Sequence, residues 1–189
     1  MIEEIIIAGF GGQGVLSMGM TLAYAGMIEG KEISWMPSYG PEMRGGTANC
    51  IAILSDNKIS SPILSTFDTA IVLNQPSMDK FAPRVKPGGL LLYESGTILQ
   101  PSTRTDIDMV GIAATSEALK LKNARTMNMI MLGAYLYLRN AVELESVLEA
   151  LKKVLPEKYH HTIALNQQAL ERGEELVCSQ LKEGVMLVC

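Results

Sequence analysis

Two segments hold residue types whose spacing could do chemistry. The first is Ala8–Val15, A-G-F-G-G-Q-G-V, directly after the apolar run Ile5-Ile6-Ile7. Gly9, Gly11 and Gly14 have the G-x-G-x-x-G spacing of a phosphate-cradling loop between a strand and a helix. The first glycine permits a tight turn. The second has no Cβ to block a phosphate. The third lets the helix pack close to the strand. The helix N-terminus then offers unpaired N–H groups and partial positive charge. Gly12 adds room, and Gln13 can hydrogen-bond from the loop. The same glycines could equally serve helix–strand packing alone.

The second segment is Ser38–Cys50, S-Y-G-P-E-M-R-G-G-T-A-N-C. Gly40-Pro41 opens a turn, and Gly45-Gly46 lets the backbone enter the next strand. Between them stand Glu42 and Arg44. A guanidinium there could grip a phosphate or carboxylate with two parallel hydrogen bonds. Glu42 could orient Arg44 or meet a partner, or the pair could simply brace the loop. With no second titrating group near it in sequence, Glu42 is not read as a general base.

The elements that must position these segments follow from hydrophobic period. Ile2–Ala8 suits a strand buried on both faces. From Gly12 the apolar residues Val15, Met18 and Leu22 recur at helical spacing, and Gly30 ends that helix. Lys31–Met36, Thr47–Leu54, Thr69–Leu73, Leu90–Tyr93 and Met109–Ile112 read as strands. Pro37–Gly46 reads as a loop and Lys86-Pro87-Gly88-Gly89 as a turn. Short helices are expected at Pro76–Val85 and Thr115–Lys120, and longer ones at Thr126–Arg139, Glu143–Val154 and Thr162–Lys182. The chain is thus expected to be one α/β domain over 1–189: a Rossmann-like, mainly parallel sheet flanked by helices, with a helical C-terminal part from about 143. This order brings Tyr39, Glu42 and Arg44 to the sheet edge that carries the glycine loop, where open α/β sheets bind ligands.

Composition narrows the function. The net charge of −4 argues against nucleic acid as the main partner. The acidic start Met1-Ile2-Glu3-Glu4 is unlike a secretory signal, and Met127–Leu138, the longest mostly apolar stretch, is far short of the ~20 residues that span a bilayer. A cytoplasmic protein with no membrane association is expected. Cys50, Cys178 and Cys189 are widely spaced and form no C-x-x-C pair, so they cannot supply the four thiolates of an ordinary iron–sulfur cluster. His160 and His161 are adjacent and poorly placed to share a metal. A nicotinamide site would place Asp or Glu at the end of the second strand. That strand instead ends Trp35-Met36-Pro37-Ser38, and Glu29 and Glu32 lie at its other end.

Taken together, G-F-G-G-Q-G-V and S-Y-G-P-E-M-R-G-G-T-A-N-C resemble the gamma subunit of the 2-oxoacid:ferredoxin oxidoreductases, with further likeness at Asn74-Gln75-Pro76 and Pro87-Gly88-Gly89. The helices after about Glu143 carry little of the resemblance. It is nearest to the 2-oxoglutarate or branched-chain 2-ketoacid type. The family converts a 2-oxoacid and coenzyme A into acyl-CoA and carbon dioxide, and passes two electrons to ferredoxin. The resemblance implies that thiamine diphosphate, Mg and iron–sulfur clusters reside on alpha, beta and ferredoxin-like subunits, and that this chain alone holds none of them, binds no metal and is inactive alone. It also implies a functional edge, beside the coenzyme A approach, made of Gly9, Gly11, Gly12, Gln13, Gly14, Tyr39, Glu42, Arg44, Gly45, Gly46 and Asn74. A buried apolar face deprived of its partner could pair with itself, giving a homodimer of the isolated chain. A stand-alone Rossmann-type nucleotide-binding oxidoreductase, or a regulatory module, is the alternative.

Overall fold

The computed structural model describes residues 1–39 and 47–182 of the chain. Their strands are β1 (Ile2–Phe10), β2 (Glu32–Tyr39), β3 (Thr47–Ser55), β4 (Phe67–Val72), β5 (Val85–Glu94) and β6 (Asp108–Ile112). The α-helices are α1 (Val15–Ile28), α2 (Gln75–Phe81), α3 (Ala114–Lys120), α4 (Met127–Arg139), α5 (Leu144–Val154) and α6 (Ile163–Lys182). One sheet takes the order β2-β3-β1-β4-β5-β6. The pairings β1–β4, β4–β5 and β5–β6 are parallel. β3 lies antiparallel between β1 and β2, so the sheet is mixed. A continuous apolar run such as Ile51–Leu54 carries no mark of strand direction, because burial on both faces looks alike in either sense.

The two faces of β1 explain the layers. Ile5 and Ile7 point into a core shared with α1, α4, α5 and α6, including Met18, Leu22, Ile130, Leu132, Val147, Leu151, Leu170 and Val177. Ile6 and Ala8 point into a second core with Val72, Met78, Phe81, Leu91, Ile98 and Ile107. Alternate residues of one strand therefore feed opposite layers, as the period of two requires. The methionines Met127, Met129 and Met131 lie in the first core, as core filling rather than as a surface.

Three boundaries move from their sequence expectation. β2 continues through Pro37 to Tyr39, because it is the outermost strand and a proline there breaks no inner ladder. The expected helix Pro76–Val85 stops as an α-helix at Phe81 and tightens into a 3-10 turn, Ala82–Arg84. The turn expected at Lys86–Gly89 is a bulge inside β5. Phe67 pairs with Val85, and Thr69 with Leu90. Gly88 has φ +73° there, and its N–H donates to the Asp106 carbonyl at 2.7 Å.

α4 and α6 meet backbone to backbone. A Cβ on Gly133 would strike the Leu170 carbonyl oxygen, and one on Gly173 would strike that of Ile130. At the amino end of the parallel strands, Lys86 Nζ lies 2.6 Å from both Glu4 and Asp68, and Thr69 Oγ1 donates to Glu3 at 2.6 Å. No helix among the described residues is long and apolar enough to cross a membrane.

Candidate functional site

The glycine loop spans the four residues between Phe10, which ends β1, and Val15, which begins α1. Gly12 (φ +96°) and Gly14 (φ +77°) are both left-handed, a backbone that L side chains adopt at a cost of about 1–2 kcal/mol. Their surroundings differ. A Cβ on Gly12 would meet nothing within 4 Å. A Cβ on Gly14 would strike the Asn128 side chain, and one on Gly9 would stand 2.6 Å from Gln13 Oε1 and 3.0 Å from Leu73 Cβ. Packing and open approach are therefore divided among the glycines: Gly9 and Gly14 face protein, Gly12 faces open space. Gly11 sits half-buried in the turn between them.

Gln13 is turned into the protein. Its Oε1 accepts from the Phe10 N–H at 2.6 Å, and its Nε2 donates to the Leu73 carbonyl at 3.2 Å. The side chain thus ties the end of β1 to the end of β4. α1 begins at Gly14 without a side-chain cap or an acidic residue in its first turn, so the positive end of its dipole is uncompensated locally.

Asn74 follows β4 at the same edge and caps α2, its Oδ1 accepting from the Ser77 N–H at 2.8 Å. It is 2% exposed, and its Nδ2 has no hydrogen-bond partner. Tyr39 ends β2 in register with Ala48, which pairs with Gly9. The carboxyl ends of β1 and β2 thus share one edge, with β3 between them. Glu42, Arg44, Gly45 and Gly46 lie outside the described residues; Tyr39 and Thr47 end the strands on either side of them. The interposed strand also accounts for the missing ribose acid. The tip of β2 is two strand spacings, roughly 10 Å, from β1, so it is not the neighbour that a dinucleotide site uses.

Three residues at this edge had escaped the reading of the motifs. Asn128 of α4 donates from Nδ2 to the Gly14 carbonyl at 3.3 Å. Thr97 Oγ1 donates to the Leu73 carbonyl at 3.1 Å, the acceptor that Gln13 also uses. Glu94, fully buried at the end of β5, accepts from the Thr115 N–H at 3.1 Å, and its second oxygen has no partner. Only Asn128 left a signal in the sequence: an amide at a helix phase otherwise filled by methionine and isoleucine.

Thiol and imidazole groups lie away from this edge chemistry. Cys50 is buried, with Sγ 3.6 Å from the Val15 carbonyl, and burial pushes its thiol up to about 12. His160 places Nε2 3.0 Å from the Leu155 carbonyl. Among the described residues no cluster of three His, Cys, Asp or Glu side chains could hold a metal ion.

A family model described as "Pyruvate ferredoxin/flavodoxin oxidoreductase" matches residues 4–176. The chain is 44% identical over 173 residues to a ketoisovalerate oxidoreductase subunit, VorA, of Methanothermobacter thermautotrophicus, covering 91% of this chain and 36% of that one. It therefore spans about a third of that relative. It is 33% identical over 181 residues to a 2-oxoglutarate synthase subunit, KorC, of Methanocaldococcus jannaschii, covering 93% and 94% of the two chains. Among solved structures it matches a 2-oxoglutarate:ferredoxin oxidoreductase of Magnetococcus marinus, which has 2-oxoglutarate, coenzyme A and succinyl-CoA bound. The TM-score is 0.86 at 26% identity, over 94% of this chain and 31% of that one.

Proposed function

Because the chain belongs to the pyruvate ferredoxin/flavodoxin oxidoreductase family, we propose that it is the gamma-type subunit of a multi-subunit 2-oxoacid:ferredoxin oxidoreductase. The reaction is oxidative decarboxylation of a 2-oxoacid with coenzyme A to acyl-CoA and carbon dioxide, with electrons passed to ferredoxin. The substrate is a branched-chain 2-ketoacid or 2-oxoglutarate, the two acids in the names of its relatives. The observation that carries this reading is the near end-to-end match to a separate 2-oxoglutarate synthase subunit, 93% of one chain against 94% of the other. The longer relative and the longer solved chain support a domain that works beside others.

The enzyme's thiamine diphosphate, Mg and iron–sulfur clusters then sit on alpha, beta and ferredoxin-like subunits. The donor set here suits none of them: Cys50 is held as a buried thiol, and Cys178 stands on α6. Gly9, Gly11, Gly12, Gln13, Gly14, Tyr39, Glu42, Arg44, Gly45, Gly46 and Asn74 form the edge that meets the partner subunits and the phosphates of coenzyme A. The open side of Gly12, the uncapped start of α1 and the free amide of Asn74 suit an approaching anion.

The test is reconstitution. The purified chain should reduce no viologen with any 2-oxoacid, and co-expression with its alpha and beta partners should restore turnover. Turnover by the chain alone would overturn the proposal.

A further inference from the structure

On the helical side of the molecule, a cleft of about 350 Å³ opens between the first turns of α4 and α6 and the C-terminal end of α5. Its lining holds no Asp or Glu, although the chain carries 20 of them. Neither α4 nor α6 has an acidic residue in its first turn, and Thr126 makes no side-chain cap for α4. Two helix dipoles thus present their positive ends to one cavity, with nothing negative beside them. Arg125 stands exposed at the rim and forms no ion pair among the described residues.

The amides of the cleft add a second requirement. Asn128 is 7% exposed and lines the cleft. Its orientation is fixed, because the Gly14 carbonyl can only accept and so must face Nδ2. The Oδ1 acceptor then remains, and no donor reaches it among the described residues. A bare anion would be repelled there, whereas an N–H group would be welcome. Asn123 and Asn166 place further amides on the lining, and Asn166 Nδ2 has only a long 3.5 Å contact to Thr162 Oγ1. Met129, Leu151, Leu155 and the Tyr159 ring supply apolar surface.

We propose that this cleft binds an adenosine phosphate. The heterocycle lies against Tyr159, Leu151 and Leu155, with an exocyclic N–H on Asn128 Oδ1, and the phosphate lies at Arg125 and the helix starts. The volume falls within the range of small-molecule sites. The inference is independent of the glycine edge and does not rest on the proposed function. The same chemistry could come from a free mononucleotide or from the nucleotide end of coenzyme A.

Calorimetry on the full-length chain decides it, with AMP, adenosine, inorganic phosphate and 2-ketoisovalerate as probes. AMP should bind more tightly than adenosine or phosphate. Arg125→Gln should weaken AMP roughly tenfold or more and leave adenosine unchanged, since it removes a charge-assisted contact. Asn166→Ala, on a partly exposed helix face, should weaken AMP and adenosine alike. If AMP binds, coenzyme A that displaces it identifies the cofactor's nucleotide end as the occupant, and failure to displace identifies a free mononucleotide; both keep the proposal. Equal affinity for AMP and phosphate, tighter binding of 2-ketoisovalerate than of AMP, indifference of AMP to both substitutions, or no binding of AMP would each overturn it. None of these results touches the reconstitution assay.

Discussion

Asn128 holds the Gly14 carbonyl at 3.3 Å across 114 residues of sequence. The last glycine of the phosphate-type loop is thereby anchored to α4, a helix of the C-terminal part. The loop and that helix form one mechanical unit, and substitutions in the loop should separate by what each glycine faces.

Gly14→Ala should be the more damaging to the fold. It forces an alanine to φ +77° and drives a Cβ into Asn128. Left-handed strain and overpacking together predict a loss of about 2–4 kcal/mol in urea unfolding. Gly12→Ala carries only the strain, about 1 kcal/mol, because its surroundings are open. In the assembled enzyme Gly12→Ala should still depress activity if that open side receives phosphate. Equal loss of stability in the two variants would refute the division.

Gln13→Ala should cost about 1–2 kcal/mol, since it strands the Phe10 N–H and removes one of the two donors to the Leu73 carbonyl. Gln13→Glu should be worse than Gln13→Ala. Its added carboxylate oxygen would face the Leu73 carbonyl where Nε2 now donates. Thermal melts of the two variants give the order directly.

Arg44→Ala should lower turnover of the assembled complex and leave the melting temperature of this subunit within a few degrees of its original value. A soluble-fold defect in the isolated variant would instead assign Arg44 to bracing its own loop.

Cys50 predicts a pH dependence of stability. Burial raises its thiol from the ordinary 9.0 to about 12. Between those values the unfolded chain has lost the proton and the folded chain retains it. The stabilisation is fully present below pH 9 and is lost as pH rises toward 12, at no more than about 1.4 kcal/mol per pH unit. Denaturation midpoints of the parent and of Cys50→Ala should converge as pH climbs from 8.5 to 11. The same thiol should resist alkylation in the native protein at pH 8, while Cys178, on a partly exposed helix face, reacts.

Gly133→Ala tests the contact between α4 and α6. The added methyl would meet the Leu170 carbonyl, which is backbone and cannot swing aside. A loss of about 1–3 kcal/mol or more is expected, read from urea midpoints. A neutral result would mean that the helices can part without cost.

Much of this architecture was legible from residue pattern. Ile5–Ala8 announced a doubly buried strand, Gly9 to Gly14 its junction with a helix, and Gly30, with φ +75°, the end of that helix. The C-terminal helices fell within a residue or so of their apolar periods. Strand direction was not legible at β3, since Cys50–Leu54 would be equally apolar in either sense. The extent of β2 was hidden because Pro37 reads as a breaker until its position on the rim is known. Long-range polar contacts left least trace. Nothing near Gly14 names Asn128, and nothing near Leu73 names Thr97, because such pairs exist only after folding has closed the chain.

Pro37 on the outermost strand has a consequence for association. Proline enters a sheet where its nitrogen faces away from the ladder. That leaves the rim of β2 without an amide hydrogen midway along its length. A foreign strand zipping onto this margin would meet a missing rung and a protruding ring. Companions must therefore be gripped through side chains and loops, and the crowded, newly made polypeptide is guarded against runaway fibre growth from its own border.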